Sequence, residues 1–296
     1  MGKSFNRIRA YFELLRPELI IMDLTLPAVS SVLAIFLHDL TFTLSLLSKT
    51  IAVIIGAYCA TVGSYVFNDF VDVDVDKENL PNRPLPSRRL RRIDALIFSM
   101  MLYAVSIVIF SFYSLYSVLT VIVASVVITS YSAFFKRRTP LSFIPVGIAY
   151  GLVPIGVWLA FGKLHPAILL FGCMICITDW GFTLSGVSRD VAGDSKRSIP
   201  TMPVTYGVPF TSRFILFCWI LGVILSIIIW CSASLGALLL LGSLFSGLWL
   251  LWMNFRFVRK PTPENGGHFF IQAAKYRSIL FIVLIIDVAV RFYRGQ

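Results

Sequence analysis

The stretch Asn68-Asp69-Phe70-Val71-Asp72-Val73-Asp74-Val75-Asp76, followed by Asn82-Arg83-Pro84, sets four aspartates within nine residues at the end of an apolar run. The chain around it is greasy: of 296 residues, 57% are hydrophobic and 14% charged. A soluble domain carries roughly 25% charge. Apolar runs of about 20 residues recur along the whole length, enough to cross a bilayer as helix. The reading is an all-α membrane protein with one transmembrane domain over residues 1–296. The aspartates then lie at a membrane border, where they are costly unless a cation meets them.

Working outward, residues 1–17 form a basic interfacial segment carrying Lys3, Arg7, Arg9 and Arg16. Candidate spans follow at about 18–37, 49–68, 93–112, 115–135, 141–161, 166–187, 212–231, 234–254 and 276–293. Very short turns within 93–135 and 212–254 predict two antiparallel hairpins. The N-terminus and the loops after the second, fourth, sixth and eighth spans hold all of the 26 Lys and Arg except Lys49, Lys163, Arg291 and Arg294. The positive-inside rule puts that end in the cytoplasm of a cell membrane, and nine spans put the C-terminus outside. A first run containing Asp23 and Pro27 does not suit a cleaved signal. The net charge of +11 is explained by topology and an anionic ligand, without nucleic acid and without an obligate protein partner. Cys59, Cys173, Cys176, Cys218 and Cys231 all lie in apolar runs and read as small core residues.

If the second span continues as helix, Asn68, Asp72 and Asp76 share one face, because each step of four residues turns only about 40°. Asp69 lies beside them. Asp74, about 200° from Asp72, points away. A second cluster, Ser188-Arg189-Asp190-Val191-Ala192-Gly193-Asp194, repeats the i, i+4 spacing with Asp190 and Asp194. It falls four spans later, which suggests two duplicated helix quartets plus a ninth span facing a central cavity.

One such motif is ordinarily a solvated face. Two at equivalent places, one preceded by an asparagine, outweigh that reading. Two acidic faces at one depth repel unless cations bridge them, and carboxylates with an amide suit Mg²⁺ shared with phosphates. Arg83, Lys136, Arg137, Arg189, Lys196 and Arg197 crowd the same loops. Acids, cations and a greasy cavity together point to a ligand with a diphosphate head and a hydrocarbon tail. Arg88, Arg89, Arg91 and Arg92 read as topology and lipid contacts. Of the intramembrane acids, Asp179 is expected to line the cavity and Asp287 to be interfacial. Gly147-Ile-Ala-Tyr-Gly151 with Pro154 reads as close helix packing.

At these residues the chain resembles the UbiA superfamily of intramembrane prenyltransferases. Asn68, Asp69, Asp72 and Asp76 match its NDxxDxxxD signature, and Asn82-Arg83-Pro84 its NRP-type element. Asp190 and Asp194 match its DxxxD signature, which continues into Pro203-Val204-Thr205-Tyr206-Gly207. Tyr131-Ser132-Ala133-Phe134-Phe135-Lys136-Arg137 is similar to its Tyr/Lys loop, with Lys136 five residues after Tyr131 where some members have four.

The resemblance implies a nine-helix bundle around a central cavity, with two Mg²⁺ ions held by Asn68, Asp72, Asp76, Asp190 and Asp194. Asn68, Asp69, Arg83, Ser132, Arg137, Arg189 and Lys196 would contact substrate, Lys136 would draw off diphosphate, and Tyr131 would steady an allylic cation. The implied reaction moves a polyprenyl group from its diphosphate to a lipophilic acceptor in the bilayer, either an aromatic quinone-type precursor or an archaeal-type glycerol lipid. A UbiA-type terpene cyclase would use the same ionisation without an acceptor. A non-catalytic isoprenoid binder or transporter would hold the diphosphate without turnover. CDP-alcohol phosphotransfer ranks below these, because no DGxxAR element follows Asp72.

Overall fold

The computed structural model describes residues 2–294, and all its elements there are helical. The helices are α1 (Gly2–Leu14), α2 (Ile20–Leu37), α3 (Leu44–Val71), α4 (Val73–Asn79), α5 (Arg92–Ser111), α6 (Leu115–Ala133), α7 (Phe143–Trp158), α8 (Pro166–Arg189), α9 (Val191–Lys196), α10 (Met202–Ser232), α11 (Ala237–Arg259) and α12 (Pro263–Tyr293). Seven of these, α2, α3, α5, α6, α8, α10 and α11, are long and apolar enough to cross a membrane. The shorter apolar α7 and the 31-residue α12 complete the nine-helix architecture. Exposed Phe245, Leu248, Phe217 and Val126 give α6, α10 and α11 an outward apolar surface, which suits lipid and would be a liability in water.

Neighbouring long helices pack in a closed ring, from α2 through α3, α5, α6, α7, α8, α10 and α11 to α12, which returns to α2. α12 also packs on α8, and α2 on α7. The order long helix, motif helix, short helix, hairpin occurs twice, as α2–α6 and as α7–α11. The two short helices, α4 and α9, touch each other. The order of elements expected from the spacing of the aspartate clusters is therefore repeated along the chain.

Small residues let the ring close tightly. A Cβ at Gly147 would stand 2.5 Å from the Cys176 carbonyl oxygen, and one at Gly151 would stand 2.8 Å from that of Gly172. The Ser99 hydroxyl donates to the Gly63 carbonyl at 2.8 Å, tying α5 to α3, and Ser30 donates to the Pro154 carbonyl at 2.6 Å, tying α2 to α7. Such interhelical bonds replace the hydrophobic driving force that lipid does not supply.

Several expectations are corrected. The seventh span begins at Met202 and the ninth at Pro263, so Arg213, Lys275 and Arg277 are helical and not loop residues. α10 is broken at Gly207 (φ +82°, ψ 154°), where Pro209 follows; only glycine adopts that φ without strain. Asp287, expected to be interfacial, packs against the turn between α10 and α11. It is 2% exposed and accepts the backbone N–H of Gly236 at 2.6 Å and of Leu239 at 3.2 Å, capping the start of α11. Of the cysteines only Cys218 is buried, while Cys173 and Cys231 are exposed; a thiol costs little on a lipid-facing surface.

Candidate active site

Both aspartate motifs sit where a long helix breaks and a short one begins. Asp72 stands between α3 and α4 at φ −92°, ψ 13°, and Asp190 between α8 and α9 at φ −91°, ψ 6°. The break at Asp72 corrects the expectation of one continuous helix but preserves its register. The Asp72 N–H donates to the Asn68 carbonyl at 2.9 Å, and the Asp76 N–H donates to that of Asp72 at 2.8 Å. Asn68, Asp72 and Asp76 consequently all line one cavity. Asp74, as expected, turns out of it: its side chain is 46% exposed and takes Arg137 at 2.8 Å.

Cations meet the first motif at close range. Lys136 pairs with Asp72 Oδ2, which also accepts the Asn68 amide at 3.0 Å; the same amide donates to Ser132 Oγ at 3.1 Å. Asp69 accepts Arg16 and Arg83 on one oxygen, each at 2.9 Å, and Arg83 reaches Asp76 at 3.0 Å. Burial raises the Asp76 carboxyl above its ordinary value, with Arg83 opposing. In the second motif Asp190 is held by its own neighbour Arg189, at 2.8 and 3.0 Å. Asp194 is buried and accepts the Thr201 hydroxyl at 3.3 Å. Burial pushes its carboxyl up to about 6, with Lys136 opposing.

The cavity encloses about 900 Å³, its open mouth included. Its acidic and basic end is formed by Asn68, Asp72, Asp76, Arg83, Lys136, Arg189 and Asp190, with Tyr131 and Ser132 beside them. Its other walls are largely apolar and aromatic, including Tyr65, Val146, Tyr150, Phe182 and Phe270. Asp179 lines it as expected and is ion-paired to the buried Arg277 at 2.8 Å. The Arg277 guanidinium lies 4.9 Å from the Phe182 ring centroid and 5.6 Å from that of Trp219.

The structure does not bring every predicted residue to the wall. Asp69 stands behind it, clamping two arginines. Asp194 is also buried away from the lining, Arg137 is drawn outward by Asp74, and Lys196 pairs with Glu78 at 3.2 Å across α4 and α9. Conversely, Arg16, Tyr65, Tyr150, Phe182 and Phe270 line the cavity without having been singled out there. The signal for Arg16 was its place just before Pro17 at the start of the first span. The aromatic residues gave none, since an apolar run does not reveal which face looks inward.

The donor set fits Mg²⁺. It is carboxylate and amide oxygen throughout, and the buried Asp72 Oδ1 has no hydrogen-bond partner. Among the described residues no three His, Cys, Asp or Glu converge into a cage of their own. Mg²⁺ is ordinarily held by one or two carboxylates and completed by substrate phosphates and water, so two facing pairs suffice.

A family model described as the UbiA prenyltransferase family matches residues 24–284. The chain is 22% identical to a digeranylgeranylglyceryl phosphate synthase of Methanocaldococcus jannaschii over 97% of both chains. It is 28% identical to protoheme IX farnesyltransferase 1 of Shewanella woodyi, covering 94% of this chain and 92% of that one. Among solved structures, it superposes on a UbiA homolog from Archaeoglobus fulgidus bound to DMAPP and Mg²⁺ with a TM-score of 0.62 and 18% identity, over 93% of this chain and 98% of that one.

Proposed function

Because the chain belongs to the UbiA prenyltransferase family, we propose that it is an Mg²⁺-dependent intramembrane enzyme that moves a polyprenyl group from a prenyl diphosphate to a lipophilic acceptor and releases diphosphate. The observation that carries this reading is the pair of facing aspartate motifs, with Lys136 between them, at the charged end of a cavity whose remaining walls are mostly apolar.

Asn68, Asp72 and Asp76 on one side and Asp190 on the other, with Asp194 buried behind it, would hold Mg²⁺, which would supply charge neutralisation as the diphosphate departs. Lys136, Arg83 and Arg189 add fixed positive charge at the same end. Tyr131 and Phe182 offer π faces to the allylic cation and, with Phe270, exclude water from it. Arg16 and Arg83 are kept in place by Asp69.

Arg277, buried behind the wall residue Asp179, is already committed to it and is not offered to an aromatic carboxylate. The polar handles beside the apolar wall include the hydroxyls of Tyr65, Tyr150, Ser64 and Thr183. That favours a hydroxyl acceptor such as a glycerol lipid over an aromatic acid. The basic residues around the motifs support a cytoplasmic position for this end of the bundle, with the C-terminus on the far side.

Purified protein given labelled prenyl diphosphate should release diphosphate with Mg²⁺ and not with chelator. Full activity retained by both Asp72→Ala and Asp190→Ala would falsify the assignment. A cyclic hydrocarbon formed without acceptor would identify a cyclase.

A further inference from the structure

Two tyrosines in the cavity wall take no part in the motif chemistry. Tyr65 and Tyr150 are each 8% exposed, and both line the cavity. Tyr150 donates its hydroxyl hydrogen to the Tyr65 oxygen at 2.6 Å, and Tyr65 donates to both carboxylate oxygens of Asp23 at 3.0 Å. Asp23, on α2, is 3% exposed and does not itself line the cavity. The charged groups whose field reaches it are Arg16, Arg277 and Asp179, with Arg16 lying 4.7 Å over the Tyr65 ring.

The chain has a direction. A carboxylate only accepts hydrogen bonds, so Tyr65 must donate to Asp23 and Tyr150 in turn to Tyr65. The Tyr150 oxygen, at the cavity wall, is left with lone pairs to accept a further hydrogen. An ionisable acid this deep in a bundle is costly, and its connection to the cavity through two hydroxyls marks it as functional. Tyr65 precedes Asp72 by seven residues, which places the Tyr65 backbone about 10 Å along the axis of α3 from the first motif.

Resting on the prenyl-transfer reading, we propose that Tyr150, Tyr65 and Asp23 form the outlet for the proton that an acceptor hydroxyl loses. The donor's C1–O bond breaks and its electron pair leaves with diphosphate. The acceptor oxygen forms the new C1–O bond and gives up its proton to Tyr150. Tyr150 passes its own proton to Tyr65, and Tyr65 passes its own to the Asp23 carboxylate, which becomes a carboxylic acid. Nothing is oxidised or reduced. The arrangement keeps the proton sink and the leaving diphosphate at separate places. A proton released beside the motifs would instead compete with Mg²⁺ for the aspartates. Tyr150 is thereby assigned as a catalytic residue, and Tyr65 and Asp23 as positioning residues that act through it.

The test uses the full chain in lipid nanodiscs with Mg²⁺, geranylgeranyl diphosphate as donor and geranylgeranylglyceryl phosphate as hydroxyl acceptor. Ether product and diphosphate are quantified together. Tyr150→Phe, Tyr65→Phe and Asp23→Asn should each lower the ether formed per diphosphate released by on the order of 100-fold, the scale of general-base catalysis. Asp23→Glu should restore much of that ratio, and the parent's transfer rate should fall in D₂O by more than that of Tyr150→Phe. An unchanged ratio in Tyr150→Phe, or a parallel loss of ether and diphosphate in all three variants, would show the tyrosines to be structural and overturn the proposal. So would a parent that releases diphosphate but forms no ether. A parent that releases no diphosphate from this donor would bring down the transfer reading itself, and the relay with it.

Discussion

The two halves of the bundle repeat one another in backbone but not in charge. In the motif of the α2–α6 half each of the inward acids has an outside cation: Asp72 has Lys136, Asp69 has Arg16 and Arg83, and Asp76 has Arg83. In the α7–α11 half Asp190 has only the adjacent Arg189, and Asp194 has only a hydroxyl. The Asp72 side chain is 1% exposed and that of Asp190 24%. The same break in the same place thus serves two purposes. The first half is assembled in advance, with cations holding its carboxylates in position. The second half is left under-neutralised, so under the proposed function it would gain most from a metal–diphosphate.

The sharpest way to break this contrast is Asp72→Ala. It should cut turnover by on the order of 100- to 1,000-fold. It should also destabilise the fold by roughly 2–4 kcal/mol, because the half-buried Lys136 is left without its partner. Steady-state kinetics and thermal unfolding read the two effects. Asp190→Ala should cost activity on the order of 100-fold but stability by under about 1 kcal/mol, since its pair with Arg189 is partly exposed. Equal losses of stability in the two variants would erase the asymmetry. Arg83→Ala should weaken apparent affinity for the prenyl diphosphate about tenfold, the scale of one charge-assisted hydrogen bond, as measured by KM.

A smaller effect is expected from Asp194. Its carboxyl sits at about 6 against an ordinary 3.8, so the fold favours the protonated form. That stabilisation is complete below the ordinary value and is lost as pH rises through about 6. In Mg²⁺-free buffer Asp194→Asn should therefore raise Tm by about 2–4 °C above pH 7 and give no gain at pH 4. A gain at both pH values would mean that its benefit is unrelated to charge. Smallest of all is Lys196→Ala. Its pair with Glu78 is 69% and 43% exposed, and its loss should move stability by under about 0.5 kcal/mol, read by the same unfolding assay.

The helical arithmetic of Asn68, Asp72 and Asp76 could be read from sequence because a four-residue spacing survives the break at Asp72. The outward turn of Asp74 followed from the same geometry. The four-span offset between motifs likewise announced the repeat. Arg277 could not be read correctly, because a basic residue next to Lys275 looks like loop until a partner on another helix is seen. The cap made by Asp287 could not be read for a related reason: it serves a different helix, and no local pattern encodes that. The Tyr65–Tyr150 contact joins residues 85 apart, and the sequence of either helix reads simply as apolar.

The pairing of Arg277 with Asp179 has a consequence for how the chain is made. α12 is not among the helices apolar enough to cross a membrane on composition, and it carries Arg277 and Asp287 inward. The partner of Arg277 is synthesised 98 residues earlier, and the helix that Asp287 caps also precedes it. The inward charges of α12 are therefore matched only by partners that precede it in the chain, so this helix depends on the rest of the bundle for its place in an apolar setting.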